Sequence, residues 1–77
     1  MPRAWREALE RAREGKIAFL DHAWKGERVL KVLCANRERL VQWGRRMGLK
    51  ESYIHDSRLP HFDLRGQKRT ELLQQLR

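Results

Sequence analysis

The chain has 77 residues, with 18 Lys and Arg against 10 Asp and Glu, a formal net charge of +8, and one cysteine. That length allows one domain with a thin core, since a chain this small buries only about 60% of the surface it exposes when unfolded. A lone cysteine excludes an internal disulfide and a cysteine-based zinc site, and no apolar run approaches the ~20 residues of a membrane span or forms a signal core.

Residues 3–14 read as a helix. Trp5, Ala8, Leu9 and Ala12 recur at helical spacing as one narrow apolar stripe, and Arg3–Glu7, Arg6–Glu10 and Glu7–Arg11 are opposite charges one turn apart on the other faces. Pro2 precedes the helix and Gly15 stops it. Trp5 has two readings: a core anchor, or a platform on which a base stacks.

Lys16 to Asp21 reads as a short apolar strand, His22 to Arg28 as a connection punctuated by Gly26, and Val29 to Ala35 as a second strand rich in β-formers. So short a connection favours antiparallel pairing, because a parallel return needs a dozen or more residues. Val32 and Leu33 place Cys34 as a buried thiol on that strand. No basic or His neighbour in sequence activates it as a nucleophile.

Asn36 is a good N-cap for a helix that runs to about Met47. Leu40, Trp43, Gly44 and Met47 share one face with Val41 on its flank, and Arg39, Gln42 and Arg46 form a polar stripe on another. Gly48 fits the position after the helix end, with Leu49 supplying the usual apolar contact. Segment 36–50 carries five basic residues and one acid. Arg45 and Arg46 also suit the helix dipole. Glu51 to His55 reads as a third short strand and Asp56 to Pro60 as a loop. The last helix runs from Arg65 or Gly66 to the end, with Leu72, Leu73 and Leu76 on its apolar face. The expected fold is therefore α+β in the order α-β-β-α-β-α, a small mostly antiparallel sheet packed against helices.

This order of motifs resembles a small family of bacterial and phage proteins of unknown function. Its members open with a short strand ending in an acid, here Ile17 to Asp21. A second strand leads into an amphipathic helix ending in a Gly-Leu or Gly-Val step, here Leu30 to Ala35, then Asn36 to Gly48-Leu49. An aromatic follows, here Tyr53. Then comes a His-aromatic-Asp-aliphatic run and a Lys-Arg pair, here His61-Phe62-Asp63-Leu64 and Lys68-Arg69. The resemblance covers residues 17–72 and leaves the first helix outside it. Two positions depart from the pattern: Arg65-Gly66 stands where members often have Thr-Pro, and Cys34 and Ala35 where members often have a His. The resemblance supports the order of elements and implies no activity.

Two groups of residues carry chemistry. Asp21, His22, His55, Asp56, His61 and Asp63 are a workable His and carboxylate set for a divalent metal or for acid–base catalysis. Asp21, His61 and Asp63 are the catalytic candidates, and Asp21, His55, His61 and Asp63 the metal candidates. No spacing among them matches a metal signature. The structural alternative makes Asp63 an N-cap or turn acceptor and His61 a turn imidazole bonded to backbone. Arg39, Gln42, Arg45, Arg46, Lys50, Lys68 and Arg69 would form a basic face for phosphates, which carries no base information. Gly66, opening a helix beside Lys68 and Arg69, is a second place for an anion.

The leading expectation is a non-enzymatic basic module that binds DNA or RNA, or a protein acting on nucleic acid. A solvated, salt-bridged surface is the bland account of the same charge. A metal-assisted hydrolase and an assembly protein are the alternatives, the latter as a homo-oligomer that adds core to a small domain. No cofactor and no membrane partner are expected, and the cytoplasm is the expected location.

Overall fold

The helical stripe of Trp5, Ala8, Leu9 and Ala12 lies on α1 (Arg3–Arg13) in the computed structural model, which describes residues 2–76. Ala8 and Ala12 are buried against the sheet. Small side chains here let the helix backbone approach the strands closely.

The two apolar runs that follow form a hairpin, β1 (Ala18–Trp24) and β2 (Glu27–Leu33), antiparallel, with Trp24 opposite Glu27. Its loop is only Lys25-Gly26, at φ 51° and 79°. Positive φ at both positions is what a type I′ turn requires, and that turn matches the twist of the flanking strands. The expected boundaries are corrected accordingly. The first strand continues through His22, Ala23 and Trp24, the connection shrinks to two residues, and Cys34 lies just past the second strand, fully buried.

The third strand is also corrected. Glu51–Tyr53 forms a turn of 3-10 helix, and β3 is His61–Leu64, antiparallel to β2 on its other side. The reason is a period of two: Phe62 and Leu64 point into the core, while His61 and Asp63 are half-buried on the opposite face. Pro60 stands just before the strand, where its missing N–H interrupts no ladder, and its carbonyl accepts from Cys34 N at 3.2 Å. Of the segment expected as a strand, only His55 pairs, exchanging backbone bonds of 2.8 and 3.2 Å with His61. Asp63 is thus a strand residue and caps no helix.

α2 (Arg37–Arg46) starts where Asn36 accepts from Arg39 N at 3.1 Å. It ends on Gly48 at φ 77°, with Leu49 N donating to Gly44 O at 2.8 Å and Gly48 N to Arg45 O at 3.2 Å, a Schellman closure. α3 (Gly66–Gln75) buries Leu72, whereas Leu76 is its C-cap residue and is 42% exposed.

The sheet order is β1-β2-β3, all antiparallel, so the expected α-β-β-α-β-α order and α+β class hold. The pleat divides the molecule into three layers. Ala18, Leu20 and Leu33 face α1. Leu30, Val32, Phe62 and Leu64 face Leu40, Val41 and Trp43 of α2 and Leu72 of α3. No helix among the described residues is long and apolar enough to cross a membrane.

Candidate functional site

Strand register decides which candidate residues meet. Directly opposed residues on neighbouring strands share a face. Asp21 stands opposite Leu30, which stands opposite Leu64, and these face α2 and α3. Lys31 stands opposite Leu20 and Asp63, and Leu33 opposite Ala18 and His61, and these face α1. Asp21 therefore lies on the opposite face of the sheet from His61 and Asp63. The three catalytic candidates do not converge.

Asp21 is a structural clasp. Arg69 of α3 donates to its two oxygens at 3.0 and 2.7 Å, and Arg28 of β2 donates at 2.9 Å. The Arg69 hydrogen bonds, opposed by burial and aided by Arg28, hold the Asp21 carboxyl down to about 2.

Asp63 is the centre of the other face. Lys31 Nζ lies 3.3 Å from Oδ1, an ion-pair distance, while Oδ1 itself has no hydrogen-bond partner. His61 Nε2 is 3.2 Å from Oδ2 and His55 Nε2 is 3.8 Å from the same oxygen. The two imidazoles stack with centroids 5.3 Å apart. His61 Nδ1 lies 2.9 Å from Leu59 O, and a carbonyl only accepts, so Nδ1 is the donor there. Burial works to raise the Asp63 carboxyl, but Lys31 and then His61 outweigh it and set it below the ordinary carboxylate value. Among the described residues no group of three or more His, Cys, Asp or Glu is placed to hold a metal ion. Asp56 and Glu51 are taken up by Arg37, at 2.7 and 3.1 Å.

The basic face expected around α2 divides. Arg39, Gln42 and Arg46 do share one shallow depression, beside Ile17, Asn36 and Glu38. Arg39 Nη1 donates to Gly15 O at 2.6 Å and so ties α2 to the end of α1. Arg45 turns to Glu51 at 3.7 Å, and Arg69 is committed to Asp21. Lys68 Nζ sits 5.6 Å from the Tyr53 ring centroid, and Lys50 is exposed. Gly66 opens α3 at φ 54°, with no side chain capping the helix.

Two neighbouring concavities lie on the sheet face that α1 covers in part. One cleft, of about 470 Å³, runs between Trp5, His22 and Trp24 over Val29, and is lined also by Ala23, Lys31, Asp63 and Arg65. A second, of about 580 Å³, runs from Trp5 and Lys31 past Leu9, Leu33 and His61 to Arg13 and Arg58. The two share Trp5 and Lys31 in their linings and are together called the trough. Trp24 is 54% exposed, large for an indole, and Lys25 Nζ lies 5.7 Å from its ring centroid. Arg13, Arg58 and Arg65 have no carboxylate within 4.0 Å among the described residues. The trough thus combines aromatic walls, uncommitted guanidiniums and, in its floor, one neutralised Lys–Asp pair.

Sequence patterns alone do not single out His22, Trp24, Lys31, Arg58 or Arg65 for this surface. The available signal is the spacing of His22 and Trp24, two apart on a strand and hence on one face. It emerges only once β1 is carried past Asp21.

No family model matches the chain. No solved structure matches it either. An uncharacterized protein of Bacillus subtilis, YneQ, is 44% identical to it over 78 residues, covering 92% of this chain and 76% of that protein. Identity at that level over most of both chains means that this protein belongs to the same bacterial family as YneQ, a family whose function is unknown.

Proposed function

We propose that this protein is a non-enzymatic module that binds single-stranded nucleic acid in the trough beside α1. The observation that carries the proposal is the joining of two tryptophans, Trp5 and Trp24, to three uncommitted arginines, Arg13, Arg58 and Arg65, along one concave surface. Such a surface matches how single strands are held without sequence readout: cations track the phosphates and aromatic rings stack on successive bases. The net charge of +8 adds long-range attraction for a polyanion. The Arg39, Gln42 and Arg46 depression lies apart from the tryptophans and has phosphate contacts alone to offer.

A titration of tryptophan fluorescence with short single-stranded DNA and RNA, repeated across a salt series, tests the proposal. Three arginine–phosphate contacts on a single strand correspond to a slope of about −2 in log affinity against log salt. Trp5→Ala and Trp24→Ala each remove a stacking partner worth about 1–3 kcal/mol per base, so each weakens binding roughly tenfold or more. Absence of binding at low salt, or binding that neither substitution affects, removes the proposal.

One observation favours a second reading, self-assembly. β1 is an edge strand, and Phe19 on it is 41% exposed. Sedimentation showing a stable dimer that Phe19→Lys dissociates would support that reading, and a monomer at high concentration would remove it.

A further inference from the structure

We infer that the Trp24 end of the trough seats one base of the bound strand and selects bases carrying an exocyclic amino group over uracil and thymine. The inference rests on the proposed single-strand binding and adds a preference to it. Among the described residues, His22 Nε2 is a buried side-chain polar atom with no partner, and Asp63 Oδ1 has no well-aligned donor beyond the ion-paired Lys31 Nζ at 3.3 Å; both residues line this cleft. Buried polar groups in a folded protein are otherwise satisfied almost without exception, so spare hydrogen-bonding capacity at two residues lining one cleft is the feature that suits a ligand's polar edge.

The lining offers aromatic and apolar surface to a planar ring. Trp5, Trp24 and Val29 line it, and the His22 ring packs against Trp5 at a centroid distance of 5.2 Å, tilted by 59°. Arg65 lies beside the cleft and Lys25 beside Trp24, both within the reach of phosphates flanking a seated base.

The polar edge decides which base fits. Lys31, 3.3 Å from Oδ1, keeps the Asp63 carboxyl ionised, and a carboxylate only accepts hydrogen bonds. The N4 amino group of cytosine, the N6 amino group of adenine and the N1–H and N2 amino group of guanine are donors suited to it. Uracil and thymine carry a single N3–H between two carbonyl oxygens, and those oxygens face the carboxylate with like charge. His22 Nε2 adds a second contact as donor or acceptor according to its tautomer.

Binding of short oligo-C, oligo-A and oligo-U, as labelled RNA at one salt concentration, is the experiment. The C and A strands are expected to bind about tenfold tighter than the U strand. Asp63→Asn replaces an acceptor by a group that also donates, so it narrows or reverses that ratio. His22→Phe keeps the ring packing and removes Nε2, so it weakens C and A binding without changing the salt slope. Equal affinity for all three strands, with a normal salt slope, overturns this inference and leaves the proposed function standing. No binding to any strand overturns both. If Asp63→Asn fails to show a folded melting transition, the comparison of strands on the unaltered protein decides alone.

Discussion

Gly44→Ala sets two known effects against each other at one position. Gly44 sits in the interior of α2, where alanine is the better helix former by about 1 kcal/mol. A Cβ there would lie 2.7 Å from Phe62 Cζ and 3.1 Å from Cε2, with Leu49 Cβ at 3.6 Å. Carbon atoms do not approach to 2.7 Å, so the ring or the helix must shift. Phe62 is 0% exposed and packs against Trp43 with ring centroids 6.0 Å apart, so it has no empty space to move into. Overpacking of this kind costs about 1–3 kcal/mol. The steric cost outweighs the helix gain, and the variant should be destabilised by about 1 kcal/mol net, or about 4–8 °C in Tm for a chain of this size. Urea unfolding followed by circular dichroism measures it as a lower midpoint at unchanged slope. In a Phe62→Leu background the clash disappears, and the same glycine substitution should become neutral or stabilising, which a double-mutant cycle records as coupling. A higher midpoint for Gly44→Ala in the otherwise unaltered protein would refute the reasoning.

The other predictions concern the clasp, the cap and the core thiol. Asp21→Asn removes the carboxylate that joins β1 to Arg28 and Arg69. The Asp21 side chain is 32% exposed, so solvent screening limits the loss to about 1 kcal/mol at neutral pH. Its carboxyl falls from the ordinary 3.8 to about 2 on folding. A lowered value stabilises the fold above the unfolded pKa, so this contribution is full above about pH 5 and is lost as pH falls through the folded value towards about pH 1. The two proteins should accordingly differ in urea midpoint at pH 7, and the difference should shrink below about pH 4 and vanish towards about pH 1. Asn36→Ala removes the acceptor of the Arg39 N bond and should lower stability by about 1 kcal/mol in the same assay. Cys34 is 0% exposed, so a thiol reagent such as Ellman's should react with it at the rate of unfolding and not before.

Much of this fold is legible in the sequence, and the places where it is not have physical causes. α1 and α2 are readable because their apolar spacing, the Asn36 cap and the Gly48 stop act within a few residues of each other. The end of β1 is harder to place, since His22 and Lys25 are polar and only the left-handed geometry at Lys25-Gly26 makes the hairpin tight. β3 carries its own alternation, His61-Phe62-Asp63-Leu64. Pro60 and the acid suggest a turn until pairing with β2 fixes the strand. The candidate site depends on tertiary placement. A single register separates Asp21 from Asp63, and only the crossing of α1 over the sheet brings Trp5 beside His22. Arg69 illustrates the limit for charges: its sequence neighbours suggest a free cation, and its partner Asp21 is 48 residues away.

The most direct test of the trough uses the three tryptophans as reporters. Trp5 and Trp24 line it, whereas Trp43 is buried in the core on the other side of the sheet. Indole N–H signals in a 1H–15N correlation spectrum, followed while a short single-stranded oligonucleotide is added, should move for Trp5 and Trp24 and stay in place for Trp43. Shifts confined to residues around Arg39, Gln42 and Arg46, with the Trp5 and Trp24 signals unmoved, would contradict the account.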